Sequence, residues 1–282
     1  MADRSTSSYR GSVSLLKFLV YLALAVLAWA VLLAGIFRID LADVWHPNRI
    51  PSLVANIYVV GLYALLVVIA GGIWRSAGGS LAAIIRTARP LAFRHWIEGW
   101  LSGLGGLTAL SLLEQWMGMA MPNPDASWQI GPVLGAVATG TLFALTEELL
   151  FRGFILGLLL QDLPRWPASM LSAVLFALAH LLRPIDPGQL LLSFLCLWCA
   201  GSLLAYCRLR TGTLWLGIGL HSSWIWYVTT IGQLKIWDFT KDSFIWTGGG
   251  SPGSGLFGLI FLGMTHIWIA KRFSWAKAKC DS

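Results

Sequence analysis

The chain has 282 residues, 57% of them hydrophobic and only 12% charged, with 16 tryptophans and a formal net charge of +7. Soluble domains carry about 25% charged residues, so this composition excludes an ordinary soluble domain and points to membrane spans of about 20 apolar residues each. The positive charge comes with no nucleic-acid signature; it reads as membrane topology and attraction to anionic headgroups.

In chain order, eight apolar stretches read as spans: 15–37, 53–74, 97–119, 130–160, 168–182, 188–207, 213–231 and 254–270. The expected fold is therefore an all-α polytopic membrane protein. The first stretch is too long for the apolar region of a signal peptide and no polar segment follows an early cleavage site, so it reads as an uncleaved span. Residues 79–96, with Arg86, Arg89 and Arg94, read as an amphipathic helix on the membrane surface, as does the tail 271–279. The connection GGGSPGSG, 248–255, is a flexible linker by composition. Nine tryptophans, Trp74, Trp116 and Trp166 among them, stand near span ends as interfacial anchors.

Lys and Arg alternate along the connections. Fourteen fall on the side of both termini and five on the other. The excess predicts cytoplasmic termini, and the reading is an integral protein of a bacterial inner membrane. Three regions are expected: 1–129 with three spans, 130–231 as a four-span core, and 232–282 with the last loop, final span and basic tail.

The sharpest feature is TEELLFRGF, 146–154. From Ile130 to Leu160 the only charged residues are Glu147, Glu148 and Arg152. A charge at a span centre costs about 2.5–3.5 kcal/mol on insertion scales, so three of them must pair or face a wet cavity. Glu148 and Arg152, at i and i+4, share one helical face and can form a salt bridge. Glu147 points about 100° away and is left to face something else.

Two histidines answer to that. His180 ends LFALAH in the fifth span and His221 sits in GIGLHSSW in the seventh. Counted from the expected cytoplasmic ends, Glu147, His180 and His221 all lie roughly 13–20 Å deep. Small residues such as Gly131, Gly135, Gly140, Gly153, Gly157, Gly217 and Gly219 let these helices approach closely. Taken alone, a histidine in a span is usually a packing residue, and one Glu–Arg pair is structural glue. The set at one depth reads as a site. Glu114, Asn56 and His266 lie near span ends, where interface water is expected to solvate them, and His46 and His95 fall in connections.

A carboxylate in a sparsely hydrated apolar site is a usable general base. With a histidine sharing its water it can attack a carbonyl, and a second histidine can donate to the oxyanion. Such a set hydrolyses an amide without a serine or cysteine nucleophile. No HExxH zinc motif, GxGD motif or serine with a histidine partner is present. Cys196 and Cys199, one turn apart, read as packing residues rather than metal ligands. No cofactor and no metal is expected.

These residues resemble a known family, the type II CAAX prenyl endopeptidases and bacteriocin-processing enzymes, called CPBP or Abi proteins. Its Glu-Glu-x3-Arg motif is matched by Glu147, Glu148 and Arg152. Its Phe-x3-His motif is matched by Phe176 and His180, and its late histidine by His221. The likeness covers about 130–231. It implies a glutamate-dependent intramembrane endopeptidase of about eight spans. Glu147 and His180 would activate water, Glu148 and Arg152 hold the site together, and His221 serve the oxyanion. One position departs from the pattern: the Asn or Asp usual four residues after that histidine is Ile225 here. The implied partners are a peptide or membrane-protein substrate and the lipid bilayer, with no nucleic acid. Two other readings use the same residues: a metal-dependent membrane hydrolase, and a non-catalytic scaffold or immunity protein.

Overall fold

Long apolar runs that lack interior proline fold as helices in lipid, because every backbone N–H and C=O is then satisfied within the segment. The computed structural model describes residues 10–44, 49–80, 84, 89–126, 129–181, 187–240, 244–248 and 254–274. Its long helices are α1 (Arg10–Phe37), α2 (Ser52–Ser76), α3 (Arg89–Trp116), α4 (Ile130–Glu148), α5 (Leu156–Asp162), α6 (Arg165–His180), α7 (Leu190–Thr211), α8 (Trp215–Leu234) and α9 (Gly255–Arg272). Between α4 and α5 the helix continues without a break as a π-helix, Leu149–Ile155. Each expected span thus has its helix. Three stretches, Gly11–Phe37, Leu53–Ser76 and Leu190–Thr211, are long and apolar enough to cross a membrane. By contrast α6 has 16 residues, about 24 Å of rise against the roughly 30 Å of a hydrocarbon core. The chain is an integral membrane protein, and outward-facing Leu16, Leu24 and Ile36 on α1 show why: each is more than half exposed.

One expectation is corrected. Residues 89–96 do not form a surface helix separate from the third span; they are the first turns of α3. Pro90 stands at the start, where a missing N–H is harmless, and no proline follows before Trp116. His95, expected in a connection, is accordingly buried in α3, with Nδ1 3.3 Å from Thr213 Oγ1. Most of the GGGSPGSG linker (249–253), much of 79–96 (81–83 and 85–88) and the tail from 275 lie outside the described residues.

Contacts divide the chain into two compact units, residues 1–83 with 157–163, and 84–156 with 164–282. In the first, Ala30 and Leu33 of α1 pack with Val44 and with Tyr58 of α2. Trp29 Nε1 donates to the Tyr58 carbonyl at 3.0 Å. Asp162 takes up the N-terminal amides of α1: its carboxylate accepts from Gly11 N (3.2 Å), Ser12 N (2.6 Å) and Ser12 Oγ (2.6 Å). A carboxylate there satisfies orphan donors and complements the helix dipole. Trp74 packs over Gly79 and Gly157, while Trp116 and Trp166 are exposed.

In the second unit α8 is the central helix, packed by α3, α4 and α7. Lipid gives no hydrophobic drive for helix association, so van der Waals fit and small residues decide it. A Cβ on Gly99 would stand 2.3 Å from the Leu216 carbonyl, and one on Gly219 would stand 2.0 Å from that of Trp96. The α3 and α8 backbones therefore touch. Leu203, Leu204, Cys207, Leu216, Leu220, Leu262 and Ile269 form a buried cluster joining α7, α8 and α9. Gly118, with φ at +71°, ends α3 in the left-handed conformation that glycine adopts freely. A feature absent from the sequence reading follows it: Ala120–Pro122 pairs antiparallel with Trp237–Phe239.

Candidate active site

The five residues singled out in the sequence come together from three helical segments. Glu147 and Glu148 end α4, Arg152 lies in the π-helix, His180 ends α6, and His221 lies in the second turn of α8. Glu147, Glu148 and Arg152 are at most 5% exposed. Glu147 Oε2 lies 3.5 Å from His180 Nε2 and 3.6 Å from His221 Nε2. Glu148 Oε1 lies 2.9 Å from Arg152 Nη1 and 3.1 Å from His221 Nδ1. The i, i+4 pair expected along one face is present, and Glu147 does turn toward the histidines.

Hydrogen-bond partners fix the imidazole orientations. His180 Nδ1 is 2.9 Å from the Phe176 carbonyl, which only accepts, so Nδ1 carries hydrogen. His221 Nδ1 faces a carboxylate already bound to arginine, so it too is the donor. Each ring therefore presents Nε2 to the same Glu147 oxygen. A neutral Nε2 and a carboxylate are both acceptors. At 3.5 and 3.6 Å they need a proton or a donor molecule shared among them. Charge balance says the same. Glu147, Glu148 and Arg152 sum to one negative charge in an apolar surrounding, where an uncompensated charge is costly. One additional proton makes the cluster neutral.

The supporting groups surround Arg152. Its Nη2 donates to the Gly201 carbonyl of α7 at 3.0 Å, and its guanidinium lies 4.3 Å from the Phe176 ring centre. That ring also lies tilted against His180 at 4.3 Å and meets His221 edge-on at 5.9 Å. Phe176 thus holds both histidines and the arginine with one side chain, and gives its own carbonyl to His180. Gly217 matters for a different reason. A Cβ there would lie 3.0 Å from Glu148 Oε2, so its missing side chain is the space that carboxylate occupies. Gly140 brings α4 against α8, its own missing Cβ 3.2 Å from the Ser222 carbonyl and 3.4 Å from Ile225 Cγ2. Ile225 therefore faces α4. Gly131 and Gly135, grouped with these in the sequence, have open space around them.

The π-helix underlies the geometry. Leu156 N–H reaches back to the Phe151 carbonyl, the i to i+5 bond that adds a residue to the turn; such bulges recur at functional sites. The same carbonyl accepts from Ser172 Oγ of α6 at 3.0 Å. Sequence reasoning took 130–160 as one regular helix and missed this bulge, along with Ser172, Gly201 and the part played by Gly217. Phe176 was within reach of the sequence, since Phe-x3-His puts its carbonyl one turn before the imidazole. Gly201 carries no local signal, because it contributes only a backbone oxygen from another helix. Among the described residues no group of three or more His, Cys, Asp and Glu side chains has the arrangement of a metal site.

Fold and site together define a class: a helical integral membrane protein with a buried carboxylate facing two imidazoles and braced by an ion pair. Residues 129–227 match the family model described as type II CAAX prenyl endopeptidase, Rce1-like, the family that the motifs of this segment resemble. No curated protein and no solved structure matches the chain.

Proposed function

We propose that the protein is an intramembrane endopeptidase that hydrolyses a peptide bond near the terminus of a peptide or membrane protein, with Glu147 as general base. The observation that carries this reading is the convergence of His180 Nε2 and His221 Nε2 on one Glu147 oxygen, at 3.5 and 3.6 Å, inside a braced and buried site.

The proton count assigns the roles. Let the additional proton sit on His221. Its Nδ1–H then donates to Glu148 and its Nε2–H is free for a substrate oxygen. Arg152 and His221 are positive, Glu147 and Glu148 negative, and the cluster is neutral. Glu147 and the neutral Nε2 of His180 are then two acceptors for the two hydrogens of one water. Glu147 removes a proton from that water as its oxygen bonds to the peptide carbonyl carbon. The oxyanion accepts from His221 Nε2–H, a stabilisation worth roughly 10²–10³ in rate for one well-placed donor. As the C–N bond breaks, Glu147 passes its proton to the leaving nitrogen. With Ile225 apolar, His221 is the side-chain donor in this scheme.

The reading also has the chain cross a bacterial inner membrane eight times with both termini in the cytoplasm, supported by the fourteen-to-five division of Lys and Arg. Residues 130–231 form the catalytic core. The test is cleavage of a terminal-segment substrate by the purified full chain in detergent, with and without a chelator. Glu147→Gln keeps shape and removes the base, so cleavage falls by about 10²–10⁴ while the protein inserts and folds normally. Full activity in Glu147→Gln overturns the glutamate mechanism. Loss of wild-type activity on chelation, restored by zinc, replaces it with a metal-dependent one.

A further inference from the structure

A second buried carboxyl group lies away from this cluster. Glu114, expected to meet interface water, is fully buried, and neither of its carboxylate oxygens has a hydrogen-bond partner. It stands in the last turn of α3, where the carbonyl end of the helix dipole already disfavours a negative charge.

Its surroundings follow from the packing of α3 on α8. Gly99 meets Leu216 and Leu220, and Gly103 meets Leu220 and Ser223, so the two helices run parallel with an offset that barely changes. Carried on two turns, that register places Tyr227 beside Thr108 and Ser111, and Thr230 at the level of Glu114. Tyr227 indeed has Thr108 and Ser111 as side-chain neighbours within hydrogen-bonding reach and feels the Glu114 charge. The Ser111 hydroxyl makes no hydrogen bond of normal geometry, and the Thr230 hydroxyl, 5% exposed, has no partner. By this register a carboxylate and three hydroxyls lie at one level of the α3–α8 contact, and the Glu114 oxygens and the Thr230 hydroxyl are buried there without partners, which native cores rarely leave so.

We propose that Glu114, Ser111, Tyr227 and Thr230 form a binding site for a sodium ion. Oxygen ligands of this kind suit a hard cation. One carboxylate balances one positive charge; a divalent ion would leave an uncompensated charge in an apolar surrounding. A proton on Glu114 would cancel the charge and still leave the second carboxylate oxygen and Thr230 without partners. Sodium satisfies all of them at once. The site lies on α8 nine residues beyond His221, about 13 Å along the axis, and shares none of the groups assigned to hydrolysis.

The test is thermal unfolding of the purified full chain in detergent, followed by tryptophan fluorescence. Sodium chloride is titrated against potassium and choline chlorides at equal ionic strength. A ligand of the folded state raises the midpoint by a few degrees per tenfold increase above its dissociation constant. Sodium is expected to do this, with choline inert and potassium weaker. Glu114→Gln is expected to abolish the sodium response and Thr230→Val to shift it to higher concentration while folding normally. The proposal is overturned if all three salts act alike, or if the sodium response survives in Glu114→Gln. It is also overturned if the midpoint depends on pH through Glu114 and not on sodium, which would make the ligand a proton. Should Glu114→Gln fail to fold, an unaltered sodium response in Thr230→Val overturns it.

Discussion

Glu148→Gln tests the ion pair on which the site rests. The substitution keeps the shape of the side chain and removes its charge. Arg152, whose side chain is 0% exposed, loses the carboxylate 2.9 Å away. Breaking a buried pair from one side costs about 3–5 kcal/mol, because the remaining charge is left uncompensated. Two contacts of Arg152 survive, the Gly201 carbonyl at 3.0 Å and the Phe176 ring at 4.3 Å. A desolvated cation–π contact is worth about 2 kcal/mol, and a glutamine oxygen still accepts one hydrogen bond. The loss therefore belongs at the low end, about 3 kcal/mol. At roughly 2–4 °C per kcal/mol for a chain of this size, the unfolding midpoint drops by about 6–12 °C. Activity falls as well, since the acceptor of His221 Nδ1 is no longer charged and holds the imidazole less firmly. The assay is thermal unfolding in detergent beside peptide cleavage. The double variant Glu148→Gln with Arg152→Met removes the stranded cation, and should recover stability without activity. An unchanged midpoint in Glu148→Gln would refute the claim that Arg152 depends on this carboxylate. A double variant less stable than Glu148→Gln would refute the claim that an unpaired charge is the cause.

Gly217→Ala places a methyl 3.0 Å from Glu148 Oε2; overpacking costs about 1–3 kcal/mol and displaces the bracing carboxylate. Cleavage should fall by about tenfold to a hundredfold, while Gly135→Ala, with open space around it, leaves unfolding and cleavage unaltered. At Asp162, desolvation raises the carboxyl's pKa, but the hydrogen bonds from Ser12 and Gly11 outweigh it and the net shift is downward. A carboxyl lowered in the folded state stabilises above its ordinary value, about pH 4, and loses that contribution as the pH falls through the lower folded value. Hydrogen exchange at residues 11–15, corrected for intrinsic rate, should show protection lost on acidification in the wild type, with Asp162→Asn unprotected throughout and showing no such step. Reporter fusions at residues 90 and 280 should be cytoplasmic and those at 125 and 245 on the far side; a cytoplasmic signal at 125 contradicts eight crossings.

What was legible in the sequence, and what was not, divides along physical lines. Apolar runs declare helices because lipid permits little else, and each expected span has a helix close to its predicted range. Charges within such a run are so rare that Glu147, Glu148 and Arg152 identify themselves, and depth along three spans brought in His180 and His221. Properties that depend on how one helix meets another were hidden. Glu114 near a span end looked solvated; only the register of α3 on α8 buries it. Residues 79–96 looked amphipathic and separate, yet nothing from 89 to 96 ends a helix. The Gly201 carbonyl and the Ala120–Pro122 pairing are backbone contributions that no side chain announces. The π-helix is the hardest case, because LLFRGFI has the composition of an ordinary α-helix.

That bulge carries a consequence for how the segment tolerates change. Its seven residues, Leu149–Ile155, hold one more residue than regular α-turns would place over the same length. Removing any one of them would let the ladder close into an unbroken α-helix, a local gain in regularity. Because the bulge absorbs the extra residue, the regular turns on either side of it would keep their register, and Glu147 and Glu148 their place. The change would fall inside the segment, on Arg152 and on the Phe151 carbonyl, which now accepts from Leu156 N–H and Ser172 Oγ. A one-codon deletion here should act on the site through those two groups, and leave behind a more regular helix.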